Sequence, residues 1–154
     1  MRAYIVLTAA LEAGNRRGGT DPVARLREQG VGYVAFALRQ PGHFGLMFRT
    51  GVVEKDEALT RSGDAAFDKL EQAVRHLCGV PPEKPLEPAQ WQRLLSIWSV
   101  AHGFANLALS GQLDRFAPEG RESLLRTTLA PMLDQFLSPS GPDVPVAATS
   151  CKRT

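Results

Sequence analysis

The 22 residues from Ala89 to Ser110 read as one unbroken helix that is apolar on two sides. At about 1.5 Å per residue it is about 33 Å long. A rotation of about 100° per residue sorts its side chains into two stripes. One holds Trp91, Leu94, Leu95, Trp98, Ala105 and Leu109; the other, roughly opposite, holds Ile97, Val100, Phe104, Leu107 and Ala108. A helix of this kind must be covered on both sides. A chain of 154 residues has room for one domain and can cover the first stripe with its own helices. The second stripe then needs the last helix, another subunit or both. A central helix in a monomeric bundle satisfies the same pattern.

The rest of the chain is also helical in period. Arg2 to Ala13 carries Tyr4, Ile5, Leu7, Thr8 and Leu11 at helical spacing, with Gly14 placed to end it and Asn15 to Thr20 as a loop. Asp21-Pro22 is an N-cap followed by a proline at the first helical position. Val23, Leu26, Gly30, Tyr33 and Ala37 carry that helix to about Gln40. Gly30 and Gly32 inside it each cost roughly 1 kcal/mol relative to alanine, so another helix is expected to approach closely there. Pro41 opens a short helix holding Phe44, Leu46, Met47 and Phe48, ended by Gly51. From about Asp56, and more firmly from Asp64, Phe67, Leu70, Val74 and Leu77 form the next stripe, with Glu71 and Arg75 as an outward i,i+4 pair and Gly79 as terminator. Lys84 to Pro88 links it to the long helix. A final apolar face, Leu124, Leu125, Leu129, Met132, Leu133, Phe136 and Leu137, is interrupted by Pro131, which should kink or split the helix after Ala130. No stretch alternates with period two. The chain reads as an all-α bundle of five or six helices over residues 1–137, and 138–154, rich in Ser, Pro, Gly and Thr, as a disordered tail.

Charge and composition narrow the function classes. No run of 18 apolar residues exists, so a membrane span is not expected. The apolar stretch Ala3 to Ala10 is followed by Glu12 and Arg16-Arg17 where a signal cleavage site would need small residues, so it reads as helix. Eighteen basic residues dispersed among sixteen acidic ones give a net charge of +2, a weak electrostatic case for nucleic acid. Cys78 and Cys151 form neither a metal spacing nor a disulfide framework. A cytoplasmic protein without metal or cofactor is the expectation. His102 and Asn106 follow Trp98 by one and two turns on the first stripe, and buried polar groups there must find partners in the fold or on a bound molecule.

Trp98-Ser99-Val100-Ala101-His102-Gly103, continued by Phe104, Ala105, Asn106 and Leu107, resembles the Trp, His-Gly signature of the WHG-type C-terminal domain of TetR-family transcriptional regulators. Asp21-Pro22, Arg25-Leu26, Tyr33 to Ala37, Pro41, Phe44 and Leu46-Met47-Phe48 resemble an earlier pattern of the same domain. The resemblance covers roughly residues 2 to 137. It implies an all-α domain whose last two long helices pair with those of a second subunit, and whose interior binds a small effector. Full-length members carry a helix-turn-helix domain before this region; here Met1 falls near the start of the connecting helix, so DNA would be reached only through a domain absent from this chain. Gln40 stands where the family usually has histidine, and Pro131 interrupts the last helix.

On that basis the expected function is the effector-binding and dimerisation module of a TetR-type regulator. The expected lining of a small, apolar effector pocket is Tyr33, Phe36, Met47, Phe48, Phe67, Trp98, His102 and Asn106, the last two as polar anchors. The expected homodimer interface is Ile97, Val100, Phe104, Leu107, Leu129, Leu133 and Phe136. Two alternatives use the same residues. A standalone helical protein could pair with a full-length regulator through the same face. A small enzyme could use His102 as general base, but no acidic residue lies within one turn of it, no Ser sits in a nucleophile elbow, and Cys78 has no histidine partner by spacing, so no catalytic residue is assigned.

Overall fold

In the computed structural model, which describes the backbone of residues 2–48 and 57–137 and the side chains of 6–48 and 63–137, one helix is the axis for all the others. This is α2 (Pro22–Arg39), which touches α1 (Arg2–Arg17), α3 (Pro41–Phe48), α4 (Glu57–Cys78), α5 (Pro88–Leu109) and α6 (Ala130–Leu137). Its ends follow from local chemistry. Asp21 Oδ1 accepts the Val23 N–H at 3.0 Å with Pro22 at the first helical position, and Pro41 prevents continuation past Gln40, whose N–H still reaches Phe36 O at 2.8 Å. No strand is present among the described residues, and the all-α class expected from periodicity holds.

Helix α1 lies antiparallel to α2 at a distance only glycine permits. A Cβ on Gly14 would sit 2.5 Å from the Glu28 carbonyl oxygen, and one on Gly32 2.8 Å from that of Ala10. Gly14 therefore does not end α1 as expected; it lies inside a helix that runs to Arg17, and Gly19, at φ +62°, makes the turn instead. The close approach anticipated at Gly30 and Gly32 is present: Gly30 faces Leu133 on α6, whose Cδ1 would be 2.5 Å from an added Cβ. Glu28, buried at this seam, accepts from Arg17 Nε at 3.1 Å and from Arg126 Nη1 and Nη2 at 2.5 and 3.0 Å. Hydrogen bonds from Arg126 above all, joined by those from Arg17, hold its carboxyl below the ordinary range against the opposing effect of burial.

Two breaks are resolved by backbone adjustment. Pro131 has no N–H and its ring crowds the carbonyl four residues back, and the chain answers with a π turn over Leu125–Leu129, in which the Ala130 N–H bonds to Leu125 O. The break thus comes one residue before the expected site. Between α5 and this turn lies a short 3₁₀ segment, Asp114–Phe116, that no periodicity indicated. The Glu71–Arg75 pair on α4 is half-buried, not outward: Arg75 also donates to the carbonyls of Pro81 and Lys84 at 3.3 and 2.7 Å and clamps the α4–α5 connection.

On α5 the buried sector is Leu94, Ile97, Ala101, Phe104, Ala105 and Ala108, which runs between the two stripes and takes residues from both. Leu95 of the first stripe stays 52% exposed and Leu107 of the second 43%. The expected interface is corrected accordingly. Ile97, Phe104, Leu129 and Leu133 are 6% exposed or less within a single chain and belong to its core, because other helices of the same chain already cover them. Of the seven residues, Val100, Leu107 and Phe136 keep accessible surface. The expected Gly51 terminator and the 138–154 tail lie outside the described residues.

Candidate functional site

The aromatic residues of α2, α3, α4 and α5 meet at one place. Spacing explains why: Phe44 and Phe48 on α3 and Trp98 and His102 on α5 are each four residues apart and so share a helix face. Tyr33 on α2 lies between the two pairs. Its ring stands edge-on to Phe44 at 5.7 Å, and its hydroxyl is 2.9 Å from His102 Nδ1. His102 in turn packs at 4.5 Å on Phe48 and 5.4 Å on Phe44, and Phe67 of α4 meets Trp98 edge-on at 5.1 Å. Trp91 stacks on the outer side of Phe67 at 6.5 Å.

Beneath these rings is a cavity of about 40 Å³ between α1, α2, α4 and α5, lined by Leu11, Gln29, Gly30, Tyr33, Ala66, Leu70, Ile97, Trp98 and Ala101. Its volume is about that of a water site, far below the roughly 300–1,000 Å³ of pockets that enclose drug-sized ligands. A ligand larger than a few atoms would need the lining side chains to move apart.

Burial favours the neutral form of both polar members of the cluster. Desolvation lowers the His102 pKa below its usual value and pushes that of Tyr33 well above its own. The hydrogen bond between them has two arrangements, Oη–H to Nδ1 or Nδ1–H to Oη, according to the imidazole tautomer. His102 therefore has an internal partner, which answers the question its place on an apolar stripe raised.

The eight expected pocket residues divide. Tyr33 and Trp98 line the cavity, and Phe48, Phe67 and His102 form the aromatic cluster over it. Phe36 and Met47 are buried but do not line it. Asn106 is exposed and turned away, its Nδ2 donating to the His102 carbonyl of its own helix at 2.8 Å, so it anchors nothing in the cavity. Ile97, expected at the interface, lines the cavity instead. Phe44 and Gln29 were missed, although each lies four residues from a chosen one, Phe44 from Phe48 and Gln29 from Tyr33.

Residues 26–132 match the family described as Tetracyclin repressor-like, C-terminal domain. The match spans more than half of the chain and includes most of α2, all of α5 and the aromatic cluster. The chain belongs to that family. No curated protein and no solved structure matches it. Trp98, His102 and Gly103 lie in the middle of α5 and divide: Trp98 and His102 face inward, whereas Gly103 is exposed, with open space where a Cβ would stand. Among the described residues no helix is long and apolar enough to cross a membrane, and no group of three His, Cys, Asp or Glu side chains could hold a metal.

Proposed function

We propose that this chain is the effector-binding and dimerisation module of a TetR-type transcriptional regulator. The observation that carries the reading is the cavity under Tyr33 and Trp98, set in the middle of the segment that matches the Tetracyclin repressor-like C-terminal domain. A mostly apolar site with few polar groups, lined by side chains of several helices, suits a small apolar effector. Binding would shift the bundle toward a widened state in proportion to the effector's preference for it. Tyr33, Trp98, Phe48, Phe67 and His102 are the residues proposed to meet the effector.

The dimer is proposed on a revised face. Trp91, Leu95 and Val100 of α5 and Phe136 of α6 border a shallow apolar groove, flanked by Ser99. Leu95 is more than half exposed there, and Gly103 leaves room for a close helix crossing. A second copy of α5 and α6 packed isologously on it would make a four-helix interface. Localisation in the cytoplasm and pairing with a longer regulator through the same face fit this reading equally. Base-edge readout needs an element seated in a DNA groove, and specificity for DNA is accordingly assigned to a helix-turn-helix domain outside these residues. The test is a ligand screen by thermal melting of the full chain. A small aromatic compound should raise the melting temperature in wild type and less in Trp98→Ala, and equal stabilisation of both would remove the cavity from the proposal.

A further inference from the structure

Next to the apolar cavity is a polar crevice of about 160 Å³ between the end of α1, the first turn of α2 and α4. Gln29 lines both spaces. It is 4% exposed and is held in place by donation of its Nε2 to Asn15 Oδ1 at 2.7 Å. The crevice is lined by Arg25, Lys69 and His76, with Asn15 and Gln72 between them. Lys69, Gln72 and His76 share one α4 face at steps of three and four. Arg25 spends Nε on the Gly19 carbonyl at 2.5 Å, and its two terminal nitrogens bond to no described residue. Two carboxylates lie nearby: Asp21 caps α2 through the Val23 N–H, and Glu12 meets Lys69 at 3.5 Å in a solvent-facing pair that an incoming anion would have to displace. The first turn of α2 adds the field of a helix N-terminus, which favours negative charge.

We propose that the effector is amphipathic, with an apolar body in the cavity under Trp98 and an anionic group, a carboxylate or its like, that passes Gln29 into the crevice and is bound by Arg25 and Lys69. The inference rests on the effector-binding reading above and adds the chemical class of the ligand. Charge-assisted hydrogen bonds from a guanidinium and an ammonium are the strong kind, and the Asn15–Gln29 pair offers the amide groups that a carboxylate meets on the way. His76 and Gln72 complete the polar wall.

The test compares 2-naphthoate with 2-naphthylmethanol, the same arene with and without charge, by calorimetric titration of the full chain at pH 7. The expected result is at least tenfold tighter binding of 2-naphthoate to wild type. Arg25→Gln/Lys69→Gln should bring 2-naphthoate to the affinity of the alcohol and leave the alcohol within twofold of wild type. Because Arg25 also ties the α1–α2 turn, Lys69→Glu alone is the second variant, with the same selective loss expected. Equal affinities in wild type, or equal losses for both compounds in the variants, would overturn the anionic subsite while leaving the effector cavity standing. Failure of both compounds to bind at millimolar concentration would overturn the subsite and the effector reading together.

Discussion

The two sides of α5 carry similar side chains and meet different fates. On the inner side Leu94, Ile97, Ala101, Phe104 and Ala105 are closed off by α2, α4 and α6, and Trp98 and His102 at its edge enter the aromatic cluster. On the outer side Leu95 and Leu107 remain exposed, beside Ser99, Gly103 and Asn106. Hydrophobicity alone does not distinguish Leu94 from Leu95. What distinguishes them is that α2, α4 and α6 pack on α5 and leave Leu94 buried and Leu95 exposed.

The comparison breaks most sharply under charge. Phe104→Asp, designed on the expected interface, would bury an unpaired carboxylate in the core at a cost of several kcal/mol, a large part of a marginal total stability, and should unfold the chain in a circular-dichroism melt. Leu95→Asp should keep the helical signal of wild type. A stable, folded Phe104→Asp protein would mean that the inner side is not core.

Glycine substitutions probe the same contrast at smaller cost. Gly32→Ala gains helix propensity but drives a methyl toward the Ala10 carbonyl oxygen, and overpacking of this kind costs about 1–3 kcal/mol. Gly103→Ala meets open space and should stabilise an isolated chain by up to about 1 kcal/mol. Denaturant titration separates the two signs, and destabilisation of a monomeric form by Gly103→Ala would contradict the open outer face.

The Tyr33–His102 hydrogen bond is the next smaller effect. Tyr33→Phe strips one partner from a half-buried imidazole, and His102→Ala strips the other from a buried hydroxyl, so each should lower stability by about 1–3 kcal/mol without any ligand present. Unchanged melts in both variants would show the bond to be unimportant to the fold. Smaller again is the pH response. The folded pKa values of His102 and Glu28 both lie below their unfolded values, so the unfolded chain takes up protons first as pH falls. Stability should be full above about pH 6.5, decline below it as His102 protonates in the unfolded state, and decline again in the carboxylate range through Glu28. His102→Gln should remove the first decline and Glu28→Gln the second, read as the change of melting temperature with pH.

Much of this fold was legible in the sequence because its helices carry their own punctuation. Asp21-Pro22, Pro41 and Gly79 stand at real element ends, and apolar residues recur at steps of three and four over α2 and α4. Gly14 was misread because a glycine near the end of an apolar stripe looks the same whether it supplies a left-handed turn or makes room for a neighbouring helix. The phase of α5 was misread because a helix apolar over most of its circumference has no intrinsic inner side. The site was legible where residues shared a face with a motif, as Trp98 and His102 do. Asn106 was misplaced because a further turn carries a residue some 40° around the helix, enough here to leave the cavity for solvent.

Sedimentation velocity of wild type and Leu95→Asp at tens of micromolar tests the division of α5 most directly. The account predicts a wild-type species of twice the 16.7 kDa chain mass and a Leu95→Asp species of one chain with undiminished helical content. A wild type that sediments as a single chain, or a Leu95→Asp variant that remains a dimer, would contradict it.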